Sequence, residues 1–133
     1  TSFARILIDA PCSGTGTGRR APDLLWRFSP ERLAHYCEAQ ERLLDRFAPL
    51  VQPGGVLVYA TCSLVPAENQ RQIERFLEKH KVFTLIAPSH TLGTALATKL
   101  GAESHLTLMP HKHGTDGFFG AVLRRQKTNP ASD

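Results

Sequence analysis

The chain has 133 residues, 41% of them hydrophobic, which is room for one folded domain and excludes a disordered segment. No apolar run approaches the roughly 20 residues that span a bilayer, and no basic-then-apolar leader opens the chain, so a cytosolic place is expected. The formal net charge of +4 leans mildly toward a polyanionic partner, and an odd count of three cysteines (Cys12, Cys37 and Cys62) argues against a disulfide framework.

Residues 3–8 are a short apolar run, interrupted by Arg5 and ending in Asp9-Ala10-Pro11-Cys12, the pattern of a buried parallel strand. Thr1 is not an initiator methionine and this strand follows at once, so the chain is expected to be a fragment. Ser13-Gly14-Thr15-Gly16-Thr17-Gly18 reads as a flexible loop, followed by the basic pair Arg19 and Arg20. Ser29 and Pro30 are a helix start, a capping hydroxyl and then proline at the first helical position. Leu33, Tyr36, Cys37, Leu43, Leu44, Phe47 and Leu50 recur at threes and fours, an amphipathic helix that Pro53-Gly54-Gly55 ends. Residues 56–60 predict a second buried strand, finishing at Thr61-Cys62-Ser63. Pro66 opens a second helix with Ile73, Phe76 and Leu77 as its apolar stripe. A third strand is predicted over 82–87, and 88–104 has no regular pattern. A short strand is predicted over 106–109 and a final strand over 118–123, after the turn Thr115-Asp116-Gly117. Residues 126–133 form a polar tail, and there is no internal repeat.

Strand, helix, strand, helix, strand implies an α/β fold of parallel strands with right-handed crossovers. The first two strands are expected to be neighbours. Ligands of open α/β sheets sit beyond the carboxyl ends of the strands, where Asp9, Cys12 and Cys62 all fall. Two thiols and a carboxylate at one rim suit several chemistries, and the sharpest fit is methylation of carbon 5 of a cytosine. That carbon is a poor nucleophile until a thiolate adds to carbon 6 and turns the ring into an enamine. Density then accumulates on N3, where an acid or hydrogen-bond partner helps. A helix opening at Pro66 would lower the pKa of Cys62 through its dipole, and Arg19 and Arg20 are within possible reach of the same rim.

Each residue also has a plainer reading. A cysteine near a strand end is ordinarily an inert small hydrophobe, and Cys37 on the helix stripe is read as core. Asp9 is equally suited to capping its loop. The glycine loop lacks the spacing of a dinucleotide fingerprint. Arg19 and Arg20 suit solvated surface as well as RNA phosphates. Trp26 suits packing over the rim as well as stacking on a base. His111 and His113 have no companion cluster at zinc spacing, so no metal is expected. Two rival functions remain: a non-catalytic RNA-binding remnant, and a dithiol redox protein using Cys12 and Cys62, against which the absence of a Cys-x-x-Cys spacing counts.

Asp9-Ala10-Pro11-Cys12-Ser13-Gly14-Thr15-Gly16 resembles the RsmB/Nop family, also called Sun or Fmu, of RNA cytosine-5 methyltransferases. The resemblance continues through Arg19-Arg20-Ala21-Pro22-Asp23, Trp26, Pro53-Gly54-Gly55, Tyr59-Ala60-Thr61-Cys62-Ser63, Glu68-Asn69 and Asp116-Gly117-Phe118-Phe119, in the family's order. It implies the C-terminal half of a Rossmann-like class I methyltransferase sheet over residues 1–125, with an antiparallel last strand. It implies S-adenosylmethionine as cofactor and RNA as substrate, most similar to the bacterial members that modify 16S ribosomal RNA. It implies Cys62 as the nucleophile and Cys12 as the cysteine of product release. Asp9 would lie between cofactor and base, and Arg19, Arg20 and Trp26 would meet RNA. The family's glycine-rich cofactor loop and ribose-holding acid do not occur in these residues, so 133 residues alone are expected to be inactive.

Overall fold

The computed structural model describes residues 1–127; residues 128–133 of the expected tail lie outside the described residues. In chain order the elements are β1 (Phe3–Asp9), α1 (Asp23–Trp26), α2 (Pro30–Phe47), β2 (Val51–Thr61), α3 (Gln70–Lys79) and β3 (Phe83–Ile86). They continue with α4 (Pro88–Leu92), α5 (Thr94–Leu100), β4 (Leu106–Leu108), α6 (Pro110–His113) and β5 (Phe118–Arg125). Short 3-10 turns occupy Thr15–Thr17, Ala48–Leu50 and Pro66–Glu68.

The sheet runs β1-β2-β5-β3, with β4 also pairing β5. β1 lies parallel to β2, with Ile8 opposite Tyr59 and Asp9 opposite Ala60. β5 is antiparallel to β2, β3 and β4. The first three strands therefore share one direction, as the alternation of strands and helices predicts, and the last strand inserts between β2 and β3 in the opposite sense.

Alternation decides which face is core. Leu57 and Tyr59 of β2 and Phe119, Ala121 and Leu123 of β5 are buried against Leu44 of α2 and Ile73 and Phe76 of α3. The intervening residues point to the other face. There Leu7, Val58, Ile86, Phe118 and Val122 line an open apolar trough of about 300 Å³.

Several expectations are corrected. β1 pairs with β2 alone among the described residues, which leaves Ile8 buried and Leu7 68% exposed. The helix at Ser29 begins as predicted, the Ser29 hydroxyl accepting from Arg32 N at 3.2 Å, but it stops at Phe47. Pro49 has no N–H to continue it. Pro53-Gly54-Gly55 does not end that helix. It forms a bulge within β2, where pairing jumps from Phe3–Val51 to Arg5–Val56 and Gly54 takes φ +82, a conformation glycine adopts without a Cβ penalty. Pro66 opens a 3-10 turn, and α3 proper starts only at Gln70. The stretch 88–104 holds two short helices, separated by Gly93.

Candidate functional site

The two parallel strands deliver their carboxyl ends side by side. Beyond Asp9, Ala10 N donates to Ala60 O at 2.9 Å, extending the pairing of β1 with β2 by one residue. The chains then part, β1 into Pro11-Cys12-Ser13 and β2 into Cys62-Ser63. Their thiols converge, Cys12 Sγ lying 3.3 Å from Cys62 Sγ, with both residues partly accessible. Topology alone therefore brings together the pair that sequence places fifty positions apart.

The surroundings of Cys12 act on its ionisation. Burial, and then the hydrogen bond to Cys62, push the Cys12 thiol up to about 12. At neutral pH Cys12 is thus a thiol, able to donate its S–H to the neighbouring sulfur. The helix-dipole argument for Cys62 is lost, because a 3-10 turn separates it from α3.

Asp9 stands at the end of β1 with its side chain exposed. Among the described residues it makes no side-chain hydrogen bond or ion pair, so it does not cap its loop, and it is not buried against the sheet. Its carboxylate is left open to whatever approaches the rim. Cys37 is half-buried rather than core, its Sγ lying 3.6 Å from Ala67 O. Burial and then the Glu68 charge raise its pKa.

The glycine loop is a tight joint, not a flexible segment. Gly16 N donates to Cys62 O at 2.9 Å, and Gly117 N donates to Gly16 O at 2.7 Å. The loop after β1, the end of β2 and the turn before β5 thus meet at one point. Arg19 and Arg20 leave this joint exposed, and both pair with Asp116, at 3.3 and 2.6 Å. Trp26 ends α1 with 90% of its surface exposed, beside exposed Leu25 and Phe28, so the indole is not packed over the rim by the described residues. His111 is exposed. His113 engages both ring nitrogens, accepting from Met109 N at 3.0 Å and donating to Leu100 O at 3.1 Å.

Sequence reasoning missed the polar cluster behind the thiols. Glu68 is fully buried, and its carboxylate accepts from Ser13 N at 2.8 Å and Ser13 Oγ at 2.7 Å. Gln40 is fully buried on α2, where Nε2 donates to Pro11 O at 2.9 Å. Two signals were available: Gln40 is a polar residue on the stripe of Leu33, Tyr36, Cys37 and Leu44, and Glu68-Asn69 is among the stretches that carry the family resemblance. Glu68 lies in a 3-10 turn, where helical periodicity flags nothing.

A family model described as 16S rRNA methyltransferase RsmB/F matches residues 1–124. The chain is 46% identical over 121 residues to the probable ribosomal RNA small subunit methyltransferase B of Synechocystis, covering 91% of this chain and 27% of that protein. It is 42% identical over 126 residues to the ribosomal RNA small subunit methyltransferase B of Erwinia tasmaniensis, covering 95% and 27%. The crystal structure of NSun6 from Pyrococcus horikoshii with SFG superposes with a TM-score of 0.70 at 29% identity, over 92% of this chain and 30% of that one. The chain spans about a quarter of the length of the curated relatives it matches.

Proposed function

The chain belongs to the 16S rRNA methyltransferase RsmB/F family, and on that premise we propose that it carries the two-cysteine site for transfer of a methyl group to carbon 5 of cytosine in 16S ribosomal RNA. The observation that carries this reading is the 3.3 Å approach of Cys12 to Cys62 at the carboxyl ends of adjacent parallel strands. S-adenosylmethionine supplies an electrophilic methyl in such a reaction; an analogue of it, SFG, accompanies the NSun6 relative. Asp9 fits a place between cofactor and base, because its carboxylate is exposed and unpartnered among the described residues.

In this reading the Cys62 thiolate forms a bond to carbon 6, and the ring's electron pair moves so that N3 takes a proton and carbon 5 becomes nucleophilic. Cys12, held as a thiol, steadies the Cys62 thiolate before attack. Asp9 shares the proton at N3 as density arrives there. After methylation a base such as water takes the carbon 5 proton, its pair forms the carbon 5–carbon 6 double bond, the Cys62–carbon 6 bond breaks with its pair on sulfur, a release that Cys12 serves, and N3 gives up its proton. Arg19, Arg20 and Trp26 form the RNA-facing surface, the arginines steered by Asp116 and the indole free to stack on a base.

The test is product analysis. A full-length relative carrying residues 1–124 of this chain in place of its own matching segment is incubated with 16S ribosomal RNA and S-adenosylmethionine, and the nucleosides are separated by mass spectrometry. The expected product is 5-methylcytidine; methyl on a ring nitrogen or a ribose oxygen would overturn the reading. The same sulfur contact also suits a dithiol–disulfide couple. That alternative predicts reversible oxidation of the pair and no dependence on RNA.

A further inference from the structure

We propose that Glu68 is a positioning residue, whose buried carboxylate clamps the two cysteine-bearing loops so that both thiols meet one base. The role rests on the two-cysteine reading above; the clamp itself does not. Ser13, which follows Cys12, gives the carboxylate two hydrogen bonds, from N at 2.8 Å and from Oγ at 2.7 Å. Ser63, which follows Cys62, donates its hydroxyl to Oε2 of the same group. Gln40 Nε2 adds a bond to Oε1 at 3.2 Å while also holding Pro11 O, on the other side of Cys12. One carboxylate thus touches the residue after each thiol.

The clamp is itself fixed. The Glu68 carbonyl accepts from Tyr59 OH at 2.7 Å, which ties it to the buried centre of β2. Next to it, Asn69 Nδ2 donates to Ser63 O at 2.8 Å and Asn69 Oδ1 accepts from Thr61 Oγ1 at 2.6 Å. Gln40 is held in turn, its Oε1 accepting from Gln72 Nε2 at 3.2 Å.

Burying a carboxylate is unfavourable unless its lone pairs are satisfied, and an apolar side chain would fill this space more cheaply. Four donors satisfy it here, three of them from the residues that follow the two cysteines. That placement goes beyond what packing needs. Other bonds still join the loops when the carboxylate is removed and keep the ends of the strands together: Gly16 N to Cys62 O and Leu64 N to Thr15 Oγ1, both at 2.9 Å, with the Ser13 and Thr15 hydroxyls each 3.4 Å from Ser63 Oγ.

The probe is phenylarsine oxide, which exchanges two S–H bonds for two As–S bonds with release of one water and so reports how well the thiols are held as a pair. Its affinity is measured on the full chain in a Cys37→Ala background, with folding followed by circular dichroism. Glu68→Ala is expected to lower affinity by about 10-fold or more through lost effective concentration. Glu68→Gln keeps one acceptor oxygen and is expected to stay within about 3-fold. A folded Glu68→Ala with unchanged affinity overturns the clamp. If Glu68→Ala does not fold, Ser13→Ala decides: a drop of about 3-fold or more supports the clamp, and an unchanged value refutes it. Failure of the methylation reading would appear separately, as no 5-methylcytidine from the unsubstituted sequence.

Discussion

Replacing Gly16 by alanine should be among the most damaging single-methyl changes in the chain. A Cβ at this position would fall against the Gly117 carbonyl and 2.7 Å from Cys62 O. Both neighbours are backbone of other elements, so neither yields by turning a side chain. Overpacking of this kind typically costs 1–3 kcal/mol, roughly, when the surroundings shift. The shift also lengthens the Gly16–Cys62 and Gly117–Gly16 hydrogen bonds, worth about 1 kcal/mol each. Together they remove about 3–5 kcal/mol, a large part of the 5–15 kcal/mol or so that holds a domain folded. For a chain of this size that is a fall in Tm of order 10–20 °C. Gly18→Ala is the control. Its φ of −57 is helical, and the nearest atoms its Cβ would meet are those of the Leu25 side chain, at 3.2 Å. It should change stability by less than about 1 kcal/mol. Thermal melts by circular dichroism compare the two. A Gly16→Ala melt within about 3 °C of the parent, or a Gly18→Ala melt equally depressed, would refute the joint as described.

In the full-length exchange protein, Cys62→Ala should abolish covalent capture of RNA, while Cys12→Ala should let a protein–RNA species accumulate on denaturing gels; the reverse pattern would exchange their roles. Asp9→Asn should slow methylation roughly 100-fold or more with an unchanged Tm, since the exposed carboxylate supports no fold contact among the described residues; a rate near the parent's would assign the N3 proton elsewhere. With its pKa pushed up to about 12, Cys12 should react with iodoacetamide at pH 8 at least 100-fold or so more slowly than a free cysteine, and its rate should keep rising through pH 10; peptide mapping that finds Cys12 labelled like a free thiol would contradict the shift. Trp26→Ala should leave Tm unchanged, because the indole is 90% exposed, and weaken RNA binding by about 1–3 kcal/mol in a filter-binding titration; unimpaired binding would remove Trp26 from the RNA surface.

The strands and the rim were legible because their signals are local. Apolar runs ending in Asp9-Ala10-Pro11-Cys12 and Thr61-Cys62-Ser63, with a long amphipathic helix between them, suffice to put both cysteines at the carboxyl ends of neighbouring strands. The bulge at Pro53-Gly54-Gly55 is hidden in the sequence, because proline and glycine after a helix look like its stop signal and pairing with β1 reveals a strand. The glycine loop likewise has the composition of a flexible one. Gly16 is needed for a close approach to Gly117, a residue far along the chain, and no local pattern encodes that contact. The exposure of Leu7 and Asp9 depends on which strands flank β1, a tertiary fact. Glu68 and Gln40 are the instructive pair. Gln40 breaks the apolar stripe of α2 visibly, whereas Glu68, in a 3-10 turn, stands out only through the Glu68-Asn69 resemblance, which carries neither its burial nor its four donors.

In the proposed reaction Cys62, not Cys12, bonds to the pyrimidine. An RNA carrying 5-fluorocytosine at its target position blocks loss of the carbon 5 substituent and so preserves the adduct. Incubation with S-adenosylmethionine and the full-length exchange protein, followed by digestion and mass spectrometry of the cross-linked peptide, identifies the sulfur. The account predicts a methylated nucleotide attached to Cys62; attachment to Cys12, or no adduct from an exchange protein that still produces 5-methylcytidine, would contradict it.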